Sequence, residues 1–243
     1  RRHTRFKCDW SSDVCSSDLE QALRGAAAVS PDGRSIAFAA QDAKGISHIW
    51  VRALDEQDAR MLAGTADGQA PFWSPDSKSI GYSGVGVVRR VELSSGATRA
   101  IVSSHRTRPL GTSWGSGDRV LYSDLGQIFM VSAAGGTPQV VMDSPAAERL
   151  GELRWPQWLN DGDHYLFFAS GDVTERAGTY LASVGSKTAK QILPGLRAAF
   201  APPDRVLYIK DETVYAQRID LDERSEEHTS ELQSHLNLVC RLL

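Results

Sequence analysis

Cysteine is missing from the whole stretch between Glu20 and Glu223; Cys8, Cys15 and Cys240 all lie near the ends of the 243-residue chain. That excludes a disulfide framework and a thiolate metal site in the middle. Long apolar runs are missing too, and nothing approaches the ~18–20 residues that span a bilayer. The basic start RRHTRFKCDW lacks the apolar core of a signal peptide, so no segment of the chain sets its compartment. Charge of one sign is not in excess: 27 Lys and Arg against 30 Asp and Glu leave a net −3, which gives no electrostatic footprint for nucleic acid or an anionic membrane. Helical periodicity of useful length is absent. What the chain does have is glycine (21) and proline (10), scattered as punctuation. That favours many short strands joined by turns.

A period runs through the middle. It is visible in VSPDGRSIAF (29–38), WSPDSKSIGY (73–82), WGSGDRVLY (114–122), WLNDGDHYLFF (158–168) and APPDRVLYI (201–209). Asp32, Asp76, Asp118, Asp161 and Asp204 are separated by 44, 42, 43 and 43 residues. A fixed spacing of about 43 marks a repeat, and four short strands per repeat is the propeller-blade version. The expected fold is all-β, with about five four-stranded blades; the TolB-type β-propellers that these repeats resemble usually close with six or more, which implies a truncated ring.

One unit can be derived physically. In Ser-Pro-Asp-Gly, Pro31 presets φ, Asp32 can accept from backbone amides just ahead, and Gly33 tolerates positive φ. After the turn, Ile36 and Phe38 alternate with smaller residues, as a strand with unequal faces requires. Ile80/Tyr82, Val120/Tyr122, Tyr165/Phe167 and Val206/Tyr208 repeat the signal. A third strand follows in HIWVRAL (48–54), VVRRVEL (87–93), QIFMVSA (127–133), GTYLASV (178–184) and TVYAQRI (213–219). Fourth strands are expected at TRAIV (98–102) and TPQVV (137–141), and first strands at APFWS (70–74) and RWPQWL (154–159). Trp73, Trp114 and Trp158 take the same place in three units and are expected in the core.

The ends read differently. DWSSDVCSSDL (9–19) and RSEEHTSELQS (224–234) can be encoded by the two opposite strands of one DNA word, which resembles a sequencing-library adapter. Residues 1–19 and 224–243 are therefore expected to be non-native tails, with the propeller in 20–223. His228, Glu226 and Glu227 fall in a tail, so they are not taken as a metal cluster.

The repeated Trp-Ser-Pro-Asp-Gly-Lys-x-Ile-Ala-Phe pattern resembles that of the TolB-type β-propellers. WSPDSKSIGY departs from it only conservatively, whereas VSPDGRSIAF lacks the Trp, and the third and fifth units lack Gly after Asp. More narrowly, RWPQWLNDGDHYLFF, IFMVSAAGGTPQVV and RAAFAPPDRVLYIKDETVYAQRID are similar to the propeller appended to bacterial receptor-type serine/threonine kinases. That resemblance implies an extracytoplasmic sensor or scaffold, on the periplasmic or extracellular face, without its catalytic part. The His-Arg-Asp, Asp-Phe-Gly and Val-Ala-Ile-Lys signatures of a kinase are absent. Rival readings are a gating propeller of a prolyl-oligopeptidase-like hydrolase and a free TolB-like periplasmic protein.

Candidate chemistry is sparse, and a non-enzyme without cofactor or metal is expected. Gly-Thr-Ser-Trp-Gly (111–115) matches the nucleophile-elbow pattern, but that elbow needs a strand, a strained turn and then a helix. Ser113 instead falls on a first strand with strand after it, and its base would have to be His164. Gly-Val-Gly-Val-Val (84–88) has neither the third glycine nor the helix of a phosphate loop and reads as a turn between strands. His48, His105 and His164 share no metal-ligand spacing. Asp220–Arg224 is too short an acidic run for a calcium loop. An aspartate present once per repeat serves the repeat rather than acid–base chemistry. Position offers one lead. Four residues before each Trp place stand Gly25, Gln69, Leu110, Arg154 and Arg197. First strands line a propeller's channel, so Gln69, Arg154 and Arg197 are candidates to ring one mouth and hold an anionic group or a protein partner. The rival reading pairs these arginines with nearby acids such as Glu152.

Overall fold

The computed structural model describes residues 27–104, 109–143, 150–171, 174–211 and 213–219. The two proposed tails, Gly25, His105 and Asp220–Arg224 lie outside the described residues.

Among the described residues, nineteen strands form five antiparallel sheets in chain order. Blade 1 holds β1 (Ala27–Val29), β2 (Ser35–Gln41), β3 (Ser47–Ala53) and β4 (Arg60–Met61). Blade 2 holds β5 (Gln69–Trp73), β6 (Ser79–Gly84), β7 (Val87–Glu92) and β8 (Thr98–Ser103). In blade 3 these are β9 (Thr112–Gly115), β10 (Arg119–Asp124), β11 (Gln127–Ser132) and β12 (Gln139–Met142). Blade 4 has β13 (Leu153–Trp158), β14 (His164–Ala169), β15 (Gly178–Ser183) and β16 (Lys190–Pro194). Blade 5 has three described strands, β17 (Ala198–Ala201), β18 (Arg205–Lys210) and β19 (Thr213–Arg218). Each sheet is a simple meander, and each first strand packs on the first strand of the next blade. The architecture is a β-propeller, and the first strands are its inner wall. One 3-10 turn, Thr174–Arg176, is the sole helical element among the described residues.

Alternation decides which side chains fill the space between blades. Ala37, Ile49 and Val51 of blade 1 meet Trp73, Ile80, Tyr82 and Val91 of blade 2. Val88 and Val102 of blade 2 meet Val120, Tyr122 and Val131 of blade 3. Leu121, Ile128 and Met142 meet Trp158, Tyr165 and Phe167 across the next gap, and Leu159, Leu166 and Leu193 meet Val206 and Ile219 across the last. The core is thus four inter-blade layers, as a stacked repeat requires. Hydrogen bonds about one period apart join the layers at their inner ends. Trp73 Nε1 donates to the Ala28 carbonyl at 2.9 Å, Trp158 N donates to Ser113 Oγ at 3.1 Å, and Phe200 N donates to Gln157 Oε1 at 2.8 Å.

The pair of side chains facing the following blade, one from the first strand and one from the second, varies in volume. It is Ala28/Ala37, Phe72/Gly81, Ser113/Leu121, Gln157/Leu166 and Ala199/Leu207 in blades 1 to 5. In blade 2 the Phe72 ring lies over Gly81 where a Cβ would stand.

The aspartate turns split into two kinds, which the even spacing of the letters conceals. Asp32 Oδ1 accepts from Arg34 N and Ser30 Oγ, and Asp76 Oδ1 accepts in the same way from Lys78 N and Ser74 Oγ. Asp161 Oδ1 takes Asp163 N and His164 N. Gly33 follows Asp32 with φ +70°, as the turn chemistry requires. Asp118 and Asp204 stand elsewhere: their carbonyls accept Ala133 N and Ile219 N, as those of Arg34, Lys78 and Asp163 accept Leu54, Leu93 and Val184 N. These two turns are shorter, so Asp118 and Asp204 occupy the place two residues beyond Asp32. Aligning the second strands instead puts Ile36, Ile80, Val120, Tyr165 and Val206 in register.

Candidate functional site

Among the described residues no three His, Cys, Asp or Glu side chains converge as metal ligands, and no helix is long and apolar enough to cross a membrane. Ser113 serves the fold: it sits on β9 opposite Leu121, and its Oγ accepts the Trp158 amide. His164 Nδ1 lies 2.6 Å from Asp161 Oδ2 within its own turn, and His48 Nε2 lies 3.3 Å from Asp42 across the β2–β3 hairpin. Gly84 ends β6 and Gly86, at φ +65°, turns the chain into β7. Trp73 and Trp158 are buried and Trp114 is half-buried, with Arg119 stacked 4.8 Å from the Trp158 ring centroid. Asp204 pairs with Arg218 at 2.7 Å.

The turn carboxylates are tuned by their own loops. The Ser30 hydroxyl, then the Arg34 amide, holds Asp32 below the ordinary carboxylate range; the Ser74 hydroxyl and the Lys78 amide do the same for Asp76. Donors aimed at the charged form favour it. These groups stay ionised at neutral pH and are committed to the turn.

Gln69, Arg154 and Arg197 stand at equivalent places at the starts of inner strands. Gln69 opens β5 and is exposed. Arg154, in β13, is tied to Glu152: its Nε and Nη2 reach the same Oε2 at 3.1 and 2.6 Å. Arg197, just ahead of β17, lies with its guanidinium 4.1 Å from the centroid of the Trp155 ring. The acid pairing weighed from the sequence holds for Arg154, and Arg197 caps an indole.

Trp155 is the residue that sequence reasoning missed. It is half-buried and carries φ +52°, a left-handed backbone that is an outlier for a bulky side chain. The strain has a repeating cause. Register shifts interrupt the pairing between Arg154 and Gln157 in β13 and between Gln69 and Phe72 in β5. Ala70 and Trp155, inside these irregularities, have φ of +48° and +52°, and Gly111, at the matching place ahead of β9, has +110°. Glycine fits that backbone without cost; a tryptophan there costs about 1–3 kcal/mol. Close packing over-determines it. Trp155 N donates to the Leu110 carbonyl at 2.6 Å, and a Cβ on Gly111 would lie 2.5 Å from Trp155 Cα. The ring leans on Phe168 at 5.5 Å. Blades 3, 4 and 5 therefore meet around one indole. A signal existed in the first Trp of Arg-Trp-Pro-Gln-Trp, but a residue before proline reads as extended backbone.

A concavity of about 550 Å³ opens between blades 2 and 3 and is lined by Ile101, Val102, Tyr122, Phe129 and Pro138 among others. Tyr122 stacks on Phe129 at 5.2 Å, and burial pushes its phenol up to about 12, with Asp124 adding to the rise.

No family model matches this chain, and no curated protein matches it in sequence. Solved structures do match in shape. TolB from Acinetobacter baumannii is 16% identical with a TM-score of 0.58, over 79% of this chain and 51% of that one. A putative TolB from Agrobacterium tumefaciens is 19% identical with a TM-score of 0.53, over 78% of this chain and 64% of that one. The Cps50 (Swd1) β-propeller domain of Myceliophteria thermophila is 14% identical with a TM-score of 0.63, over 86% and 70%. This chain thus covers between half and two-thirds of the two TolB structures. At these identities the likeness is one of fold.

Proposed function

We propose that this propeller is a non-catalytic binding module whose contact surface is the inner mouth around Trp155, Arg197 and Arg154, and that it takes a protein segment or small molecule bearing a carboxylate. The observation carrying this is the strained Trp155, held between Phe168 and the Arg197 guanidinium where three blades meet. Strained backbone persists where the surroundings enforce it and collects at ligand-binding places. An indole beside guanidinium groups supplies a flat apolar contact and charge-assisted donors together. Fold alone does not fix function, so the reading rests on that site.

Its test is an array of acidic peptides and their amidated counterparts, probed with the parent chain and with Trp155→Ala, Arg197→Ala and the exposed control Lys44→Ala. Retention should fall at least tenfold for the first two variants and hold for the control. Binding that ignores peptide charge, or that survives both substitutions, ends the proposal. The finer reading places the module as the extracytoplasmic sensor or scaffold of a bacterial serine/threonine kinase receptor, on the similarity of RWPQWLNDGDHYLFF and its companions to that family. A kinase and a membrane helix encoded upstream in the same reading frame support it. An α/β-hydrolase domain downstream, in place of the kinase, overturns it.

A further inference from the structure

Four tyrosines are buried among the described residues: Tyr82, Tyr122, Tyr165 and Tyr180. Three of them donate their hydroxyl to a main-chain carbonyl. Tyr82 reaches Gly64, just after β4 of the preceding blade, at 3.2 Å; Tyr165 reaches Val141 of the preceding blade at 3.4 Å; Tyr180 reaches Arg176 at 2.8 Å. Tyr122 is the counterpart of Tyr82 in the next blade and is only 3% exposed, but its hydroxyl has no hydrogen-bond partner among the described residues. An unmet donor at that depth costs free energy that the other three tyrosines avoid. In the same gap, between blades 2 and 3, lies the concavity of about 550 Å³, and Tyr122 is part of its lining. That volume is in the range that holds small molecules.

The lining defines what fits. The ring planes of Tyr122 and Phe129 lie within 16° of each other and make one flat wall; Ile101 and Val102 of β8 make the other, with Pro138 ahead of β12. Among the described lining residues only Ser103 and Tyr122 have polar side chains, and none is charged. Asp124 follows on the same strand, 2% exposed, accepting from Ser104 Oγ at 3.1 Å and from Leu125 N at 3.0 Å. Its field opposes a negative charge at the phenol, so the missing partner is a neutral acceptor. We propose that this concavity binds a small neutral molecule, a flat apolar ring carrying a carbonyl or ether oxygen, which accepts from the Tyr122 hydroxyl. The site lies against the outermost strands β8 and β12, away from the inner wall, so it is independent of the contact surface around Trp155.

The test uses three fluorinated probes followed by fluorine NMR: para-fluoroacetophenone, para-fluoroethylbenzene, which lacks the oxygen, and para-fluorobenzoate, which carries a charge. The ketone should bind the parent roughly fivefold more tightly than the hydrocarbon, the effect of one neutral hydrogen bond, and the benzoate no better than the hydrocarbon. Its ring protons should show Overhauser contacts to the Ile101 and Val102 methyl groups. Tyr122→Phe should bring the ketone down to the hydrocarbon's affinity and leave the hydrocarbon unchanged, whereas Tyr208→Phe should change neither. Tyr122→Phe should also melt no lower than the parent, because no internal bond is lost, while Tyr82→Phe should melt lower. A parent that ignores the ketone, binds ketone and hydrocarbon alike, or takes the benzoate as well as the ketone overturns the proposal. So does contact elsewhere than Ile101 and Val102, or a Tyr122→Phe variant that keeps the preference, loses both neutral probes or melts below the parent.

Discussion

Removing the same three carbons at two equivalent positions should have very different costs. Ile80 and Ile36 occupy the same place in successive blades, but Ile80 is fully buried against blade 1, whereas the corresponding side of Ile36 has no blade beyond it among the described residues. Ile80→Ala removes roughly 2.4 kcal/mol of transfer free energy at about 0.8 kcal/mol per carbon. The cavity left between Tyr82, Val91 and Ile49 cannot fully collapse, which brings the loss to about 3–4 kcal/mol. For a domain of this size each kcal/mol lowers Tm by about 2–4 °C, so the melting point should drop by on the order of 10 °C. Ile36→Ala should cost less than about 1.5 kcal/mol, because much of its surface is already wet. The assay is thermal and urea unfolding followed by circular dichroism and tryptophan fluorescence. Equal losses at the two positions would refute the reasoning, since they would mean that Ile36 is as well covered as Ile80.

Two further outcomes follow from buried or tuned polar groups. Thr65 is fully buried, and its Oγ1 accepts Ile49 N at 3.0 Å while donating to the Leu62 carbonyl at 2.6 Å; Thr65→Val should cost about 1–3 kcal/mol by stranding that amide, and Thr65→Ser should restore most of it in the same unfolding assay. Asp76, whose carboxyl lies below its ordinary value chiefly because of the Ser74 hydroxyl, contributes stability that is present above the unfolded pKa of 3.8 and is lost as pH falls through the lower folded value. Urea midpoints measured at near-neutral and strongly acid pH should therefore converge in Ser74→Ala relative to the parent, and an unchanged pH slope would contradict the assignment.

The fold was legible because its signals are local and repeated. Ser-Pro-Asp-Gly, the alternation of Ile36 with Phe38 and the glycine-bearing turns each declare themselves within a few residues, and recurrence lifts them above chance. Strand limits shifted by a residue or two; the expected fourth strand at Thr137–Val141 forms as β12, Gln139–Met142. Aspartate spacing misled at Asp118 and Asp204, where two shortened turns keep the letter but move it along the backbone. Arg154 and Arg197 were reachable from position in the repeat, and Glu152, two residues from Arg154, could be named as its partner; Trp155 could not be named for Arg197, because the two come together only when adjacent first strands are side by side. Trp155 was hidden for a further reason: left-handed backbone in a tryptophan arises from the irregular pairing of β13 and the close approach of Gly111, and neither leaves a mark in the letters.

The uneven volumes at the Phe72/Gly81, Ser113/Leu121 and Gln157/Leu166 pairs bear on how such a chain can be recombined. Its units share a length but not a shape, so each sheet is keyed to one neighbour. Deleting the third unit, for example, would set Phe72 against a surface shaped for Leu121. The protein is a tandem array in its backbone and a one-off in its side chains, and grafting must move adjoining units together.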